Sequence, residues 1–228
     1  MSICFQGCDL NSTDPSDVEQ ITDIDGNVYS SVIIGEQEWM VENLKVTHFR
    51  NGDEIPNIIN DTTWANMTSD AYCNYDNDET NSDIYGRLYN WYAISDDRLI
   101  APEGWHIPSK EEWEILIEYL GGTSVAGGKM MEAGFEHWNE NVNANSTNES
   151  GFTALATGHR DDYTWGYGYG RFSGMGSNTR YISQKESGGS PDYAHSLLMQ
   201  EYSEAVWFSG SQYLSHLNPG HPVRCIKD

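Results

Sequence analysis

Positive charge is scarce in this sequence: lysine and arginine together number 12, against 35 aspartate and glutamate residues. The formal net charge is therefore −23 at pH 7. A negative field of this size repels phosphate backbones, so we expect no nucleic-acid partner. It favours cations, and calcium is the cation whose ligands are clustered carboxylate and amide oxygens. The alternative is a solvated acidic surface, because exposed carboxylates usually stay hydrated.

Long apolar runs are absent as well. No stretch approaches the roughly 20 apolar residues that a membrane-spanning helix needs, so we expect no transmembrane segment. The first residues also lack the basic and apolar regions of a signal peptide. However, Phe5-Gln6-Gly7-Cys8 has the order of a lipobox remnant, which predicts a lipid anchor at Cys8; a cloning scar is the alternative. The polar residues that follow predict a flexible tether over residues 1–20.

Cysteine is limited to four residues, and none of them forms a Cys-x-x-Cys pair. A structural zinc site is therefore not expected. Cys73 and Cys225 could be joined by a disulfide across a long loop in an oxidising compartment. Two buried free thiols are the alternative, since cysteine packs well in a core.

Aromatic residues and glycine are abundant by contrast. The chain has 8 Trp, 14 Tyr and 22 Gly, with a hydrophobic fraction of 38%. This composition supports a packed core and favours a loop-rich α+β fold over a helical bundle. No fixed-period repeat and no second domain boundary is visible. We therefore predict a single α+β domain over residues 21–228.

Local patterns predict two principal helices. Helical spacing of apolar residues predicts the first over residues 85–95. The second begins with a capping box, formed by Ser109 and the glutamate three positions later. An apolar stripe that starts at Trp113 follows, and Gly121-Gly122 ends it. This pattern predicts a helix over residues 109–120, with Trp113 in the core.

Three segments have the composition of strands. A turn at Asp25-Gly26-Asn27 precedes strand-like alternation over residues 28–34. Residues 151–155 are typical of a buried strand, and residues 223–226 of a closing strand. Between the last two segments we expect short strands and long loops.

Oxygen-bearing side chains are most concentrated within residues 76–83. Their carboxylates and amides are the ligands that calcium prefers, while Asn and Asp are also ordinary turn formers. The predicted calcium ligands are Asp76, Asn77, Asp78 and Asp83, with help from Asn81.

Known catalytic motifs find little support. His159-Arg160-Asp161 resembles a kinase catalytic loop, but the phosphate-binding glycine loop and its paired lysine are missing. Gly166-x-Gly168-x-Gly170 lacks the spacing of a dinucleotide-binding loop. The zinc-protease motif His-Glu-x-x-His and the nucleophile elbow Gly-x-Ser-x-Gly are absent too. We predict no catalytic residues.

Residues 161–181 interleave aromatic side chains with Gly, Ser, Thr and Asn. Binding loops have this composition, because Tyr and Trp supply contact area at low entropic cost while small polar residues supply hydrogen bonds. Stacking on sugar rings asks for the same aromatics. The alternative is a glycine-rich loop whose rings fold back onto the core. The predicted ligand face consists of Tyr163, Trp165, Tyr167, Tyr169, Arg171, Tyr181 and Trp207. Of these we expect Tyr163, Trp165, Tyr167, Tyr169 and Tyr181 to be exposed.

Six stretches of the chain resemble, in the right order, the FISUMP family, the Fibrobacter succinogenes major paralogous domain. They include Tyr85-Gly86-Arg87-Leu88-Tyr89, Gly104-Trp105-His106-Ile107-Pro108 and Val223-Arg224-Cys225-Ile226. The full set is residues 22–29, 34–45, 85–93, 101–108, 148–155 and 223–228. The resemblance implies a secreted or lipid-anchored bacterial protein.

Two segments, residues 104–113 and the closing Val223-Arg224-Cys225, are also similar to the formylglycine-generating branch of the C-type-lectin-like fold. This implies two main helices, a small mixed sheet that joins strands near residues 28–34 and 223–226, and long loops from the second half. The sugar site of that fold needs a Glu-Pro-Asn or Gln-Pro-Asp loop plus Trp-Asn-Asp. Only Trp138-Asn139-Glu140 comes close, so calcium-dependent sugar binding is not implied. The catalytic cysteine pair of the formylglycine enzymes is also missing.

The chain departs from the family pattern mainly in its second half. Residues 179–183 stand where members usually show Trp-Trp-Ser-Ser, beside the aromatic segment. Our hypothesis is an extracellular or cell-surface module that binds a glycan or protein receptor and requires no cofactor, calcium being the one candidate. The alternatives are a structural or adhesion domain of a larger surface or phage-tail assembly, such as a diversified receptor-binding protein, and a formylglycine-related enzyme.

Overall fold

The computed structural model describes residues 20–140, 145–161, 163–164, 168–184, 193–213 and 219–228. The predicted tether, including Cys8, lies outside this description apart from Gln20. The fold is α+β, as predicted, and sheets dominate over short helices. None of the helices in the described ranges has the length and hydropathy needed to span a bilayer.

Most strands and helices are short. The strands are β1 (Ile21–Thr22), β2 (Val28–Tyr29), β3 (Ser31–Ile34), β4 (Gln37–Met40), β5 (Tyr72–Cys73), β6 (Leu88–Tyr89), β7 (Trp105–His106), β8 (Thr157–Arg160), β9 (Tyr163–Thr164), β10 (Gly168–Tyr169), β11 (Phe172–Met175), β12 (Asn178–Ile182), β13 (Tyr193–Gln200), β14 (Val206–Tyr213) and β15 (Ile226–Lys227). The α-helices are α1 (Asp61–Ala65), α2 (Glu79–Tyr85), α3 (Trp91–Ile94), α4 (Lys110–Tyr119) and α5 (Ala126–Met130), and a 3-10 helix covers Tyr75–Asn77.

One sheet, which we call the terminal sheet, joins the two ends of the fold. Its strand order is β3-β4-β15-β7, and Ile226 pairs with Trp39 on one side and His106 on the other. The prediction that strands near residues 28–34 and 223–226 share a sheet is therefore confirmed for β3 and β15, whereas β1 and β2 pair in a separate two-stranded sheet. The expectation that the terminal sheet is mixed is wrong, because all of its strand pairs are antiparallel.

A larger sheet, which we call the second-half sheet, has the order β11-β8-β12-β13-β14. It is mixed, since β12 pairs with β8 in parallel while the other pairs are antiparallel. Strands β13 and β14 have 8 residues each. The second half thus holds longer strands than we expected from its glycine content.

Helix α4 agrees with its sequence pattern. The Glu112 amide donates to Ser109 Oγ at 3.2 Å, and the Ser109 amide donates to the Glu112 carboxylate at 2.7 Å, which completes the predicted capping box. Gly121 and Gly122 follow in the left-handed region, with φ of +102° and +94°. Trp113 is 1% exposed and lies in the core, as predicted.

The helix predicted over residues 85–95 is wrong. Tyr85 ends α2, a strand (β6) follows, and only Trp91–Ile94 is helical. Gly86 interrupts the helix because its φ is +75° and a Cβ there would lie 2.7 Å from Asn43 Cβ. Asn90 then starts α3 by accepting a hydrogen bond from the Ala93 amide.

The strand predicted over residues 151–155 is also wrong. The segment forms a single bridge, between Ala154 and Met131. Gly151 and Thr153 have φ of +74° and +55°, which a strand does not allow. Phe152 and Ala154 are nevertheless fully buried, so the prediction of burial is correct and the strand geometry is not.

Cys73 and Cys225 are both buried free thiols. Of the two alternatives left open by the sequence, the disulfide is therefore wrong and the pair of core thiols is confirmed. Burial raises the pKa of Cys73 to about 12 and raises that of Cys225 as well. Neither thiol is a nucleophile at neutral pH.

The two large core clusters lie on opposite sides of the terminal sheet. On β4, Trp39 belongs to one cluster and Met40 to the other. Near the other end of the chain, Ile226 of β15 belongs to the cluster of Trp39, and the preceding residue, Cys225, belongs to the cluster of Met40. Alternation along the strand explains this, since successive side chains point to opposite faces. The second-half sheet packs one of its faces against the cluster that contains Trp39.

Candidate ligand-binding surface

The two faces of the second-half sheet differ in their surroundings. Tyr181, Leu197 and Phe208 lie in register on β12, β13 and β14, and they pack into the core. We call this the inner face. Arg180, Leu198 and Trp207 are the adjacent residues on the same three strands, and they also lie in register with one another. Because successive side chains of a strand alternate, these three lie on the opposite side of the sheet. We call that side the outer face.

The same outer face continues over β8 and β11. Ser173 of β11 pairs with His159 of β8. Thr179 pairs in parallel with Gly158, so the residues that follow them, Arg180 and His159, share a side. One row of side chains therefore crosses the sheet. This outer row consists of Ser173, His159, Arg180, Leu198 and Trp207.

One end of the outer row is polar and hydrogen-bonded. His159 Nε2 lies 3.1 Å from Asp161 Oδ1 and 3.2 Å from Ser173 Oγ. The Ser173 hydroxyl also lies 3.3 Å from Asp161 Oδ2. His221 stacks on His159 with ring centroids 6.0 Å apart. The pKa of His221 is lowered well below the ordinary value, first by burial and then by His159 and Arg180.

The polar end does not have the geometry of a hydrolytic triad. Such a triad needs a carboxylate on Nδ1 of the histidine and the nucleophile on Nε2. Here Asp161 and Ser173 approach the same nitrogen of His159, while Nδ1 is buried without a hydrogen-bond partner among the described residues. The cluster presents hydrogen-bonding groups rather than an activated serine.

The other end of the outer row is aromatic. Trp207 is 42% exposed, and Tyr202, in the turn between β13 and β14, is 66% exposed. Their ring centroids lie 6.3 Å apart in an edge-to-face arrangement. The Tyr202 hydroxyl donates to Gln200 Oε1 at 2.7 Å, which holds the tyrosine ring beside the tryptophan.

Side chains are described at three of the predicted ligand-face positions. Trp207 and Arg171 are exposed. Tyr181 is 1% exposed, stacks on Trp113 at 5.7 Å and donates to Asn43 Oδ1, so its assignment to the ligand face is wrong. The physical reason is register: Tyr181 occupies an inner-face position of a strand in the middle of the sheet.

Two of the remaining predicted aromatics lie on paired short strands. Tyr163 and Tyr169 pair across β9 and β10, and only their backbone is described. Trp165 and Tyr167 lie outside the described residues. Their role in the ligand face therefore stays a prediction.

Sequence reasoning missed most of the outer row. The motif His159-Arg160-Asp161 resembles a kinase loop in sequence, but strand alternation separates its members. His159 and Asp161 lie on the outer face, whereas Arg160 is fully buried and donates to Asp61 Oδ1 at 2.7 Å. Tyr202 carried no signal, because only the β13–β14 turn brings it beside Trp207.

The predicted calcium ligands occupy a turn and a helix cap. Asp76 and Asn77 have φ of +55° and +56°, and Asp78 caps α2 by accepting from the Thr80 amide at 3.0 Å. Asp83 is exposed. Within the described residues, the side chains that converge at metal-binding distances are instead Glu132, Glu136 and His137. Calcium binding at residues 76–83 stays a prediction.

Comparison with known proteins gives one match. The family model described as the Fibrobacter succinogenes major domain matches residues 32–227, a range that contains the whole outer row. No curated protein and no solved structure matches the chain.

Proposed function

The chain belongs to the Fibrobacter succinogenes major domain family, and from this premise we propose that it is a ligand-binding module, secreted or held at the bacterial cell surface. We place the module in the C-type-lectin-like fold class, because its terminal strands meet in one sheet. The ligand lies on the outer face of the second-half sheet, across the outer row. A lipid anchor at Cys8 would hold the module at the surface.

The observation that carries the proposal is the exposure of Trp207 beside Tyr202. The inner face of the same strand is packed, with Val206 buried at 3% exposure, so Trp207 stands on a rigid support. Leaving two large aromatic rings in water is unfavourable unless a partner covers them. Rigid aromatic rings with adjacent polar groups are typical of binding surfaces.

The composition of the outer row favours a carbohydrate chain as the ligand. A sugar ring can stack on Trp207, while Ser173, Arg180 and the His159–Asp161 pair supply hydrogen bonds to hydroxyl groups. Four strand spacings separate Ser173 from Trp207, so the row is about 19 Å long at about 4.8 Å per spacing. That length suits an extended chain of several sugar units. The net charge of −23 favours a neutral or cationic ligand over a polyanion.

A glycan array and a panel of cell surfaces, probed with the purified chain, test this function. Trp207→Ala should weaken binding by about 2 kcal/mol or more, roughly 30-fold, as for other aromatic hot spots. Tyr119→Ala is the matched control, because Tyr119 is 65% exposed on α4, which packs against the inner face. Its binding should be unchanged.

Two results would contradict the proposal. One is equal binding by the wild-type chain and Trp207→Ala at matched stability. The other is binding to protein receptors alone, which would favour an adhesion domain of a larger assembly. Trp165→Ala in the same assay tests the predicted contribution of Trp165 to the ligand face.

A further inference from the structure

The loop from Glu132 to His137 is held rigidly at both ends. The Glu132 amide donates to the Ala154 carbonyl at 3.1 Å. The indole of Trp138 donates to the same carbonyl at 3.0 Å, and Trp138 is buried. Both ends of the loop are therefore fastened to one oxygen atom. Gly134, with φ of +90°, allows the chain to reverse between them.

This closure brings three metal-ligating side chains together. One ligand atom from each of Glu132, Glu136 and His137 lies within 4.8 Å of the others. His137 Nδ1 is 2.8 Å from Glu132 Oε1, and the His137 amide donates to Glu132 Oε2 at 3.2 Å. The imidazole is also held from the side, because Tyr85 packs edge-to-face on it at 5.5 Å. Ring and carboxylate are thus oriented before any ion binds.

Within the described part of the chain, no lysine or arginine offsets the negative charge of this cluster. The ion pair of Glu132 there is with His137, and it exists only when the imidazole is protonated. The effect is felt by Tyr85, whose pKa is raised by burial and then by the charges of Glu132 and Glu136. The cluster opens into a groove of about 490 Å³ that Tyr85 and Glu140 also line. A cation can therefore enter from solvent.

We propose that Glu132, Glu136 and His137 form a binding site for a divalent transition-metal ion such as zinc. One imidazole nitrogen and two carboxylates suit zinc or manganese, whereas calcium takes oxygen ligands only. Tetrahedral zinc, with bonds of about 2.0–2.2 Å, places its ligands about 3.3 Å apart. Small rotations of these side chains reach that spacing. The ion replaces the proton between His137 Nδ1 and Glu132, and a fourth position faces the groove.

Zinc titration of the full chain, after treatment with a chelator, tests the site by calorimetry. We expect one tight equivalent, with a rise in melting temperature because zinc binds the folded state. Cobalt substituted for zinc should give the visible absorption bands of a site with nitrogen and oxygen ligands. Glu132→Gln and His137→Gln should each weaken binding by tenfold or more, on the order of the losses seen at metal sites.

His106→Gln is the matched control. His106 also contacts two carboxylates, but Asp228 bonds Nδ1 at 2.7 Å and Glu112 bonds Nε2 at 2.9 Å, on opposite sides of the ring. The two carboxylates cannot share an ion, so this variant should bind zinc normally. Unchanged affinity in His137→Gln, or no zinc binding by the wild-type chain, overturns the proposal. If the melting temperature of His137→Gln is lowered even in the presence of chelator, zinc affinity is compared in Glu136→Gln instead, because Glu136 is exposed.

Discussion

Arg224 connects the closing strand to the rest of the protein, and its replacement by methionine has a large predicted effect. The residue is 1% exposed. Its guanidinium donates to Asn43 Oδ1 at 2.9 and 3.0 Å, to the Met40 carbonyl at 3.0 Å and to the Phe152 carbonyl at 2.6 Å. It also lies over the Phe152 ring at 4.4 Å. Each of these partners is neutral, and burial lowers the pKa of this arginine.

Two opposing effects decide the size of the change in Arg224→Met. Removing a buried cation relieves its desolvation cost, which by itself is neutral or stabilising. The acceptors, however, remain buried after the substitution. Each buried acceptor left without a donor costs about 1–3 kcal/mol. The Met40 and Phe152 carbonyls, within 3.0 Å of the guanidinium, lose this donor, whereas Asn43 Oδ1 still accepts from the Tyr181 hydroxyl. Methionine nearly conserves apolar volume, so the cavity contribution is small. We expect a net loss of about 4 kcal/mol.

Urea unfolding followed by tryptophan fluorescence measures this loss. Arg171→Met is the control, because Arg171 is exposed and its replacement should change the free energy of unfolding by less than about 0.5 kcal/mol. A loss below about 1 kcal/mol for Arg224→Met would refute the reasoning. It would mean that water or neighbouring donors satisfy the Asn43, Met40 and Phe152 oxygens without the guanidinium.

Two further predictions concern pH and calcium. The pKa of His106 is raised above 6.5, first by the hydrogen bond to Glu112 and also by Asp228. Protonated His106 therefore contributes fully to stability below about pH 6.5, and this contribution is lost as the pH rises through the pKa of His106 in the folded state. The wild-type chain should lose this part of its unfolding free energy as the pH rises, whereas His106→Gln should not. If residues 76–83 bind calcium, millimolar calcium should raise the melting temperature by mass action. Asp83→Asn leaves the α2 cap intact and should reduce this rise. No shift in the wild-type chain would mean that these residues are turn formers only.

Patterns that depend on near neighbours were predictable from the sequence. Helix α4 needs only a capping box, an apolar stripe and two glycines, all within residues 109–122. The family and the joining of the terminal strands followed from motifs spread along the chain. Burial of residues near Phe152 was also predictable, because apolar composition reports burial even where it does not report backbone geometry.

Contacts between distant residues decided the rest. The helix expected over residues 85–95 was interrupted because Gly86 packs against Asn43, far away in the chain. Alternation predicts that neighbouring positions of β12 face opposite sides, but the sequence does not say which side is covered. Packing against Trp113 made Tyr181 a core residue and left Arg180 on the outer face.

The sequence by itself determined the acidity, the α+β class, the family and the best-formed helix. Each of these depends on composition, on spacing within a few turns or on the order of short motifs along the chain. Only the tertiary structure decided the outer row and the Glu132–His137 cluster. The outer row exists because five strands pair in one register. The cluster exists because Glu132 and Trp138 both bond the Ala154 carbonyl. Such hydrogen bonds form only after distant segments meet, so no local pattern encodes them.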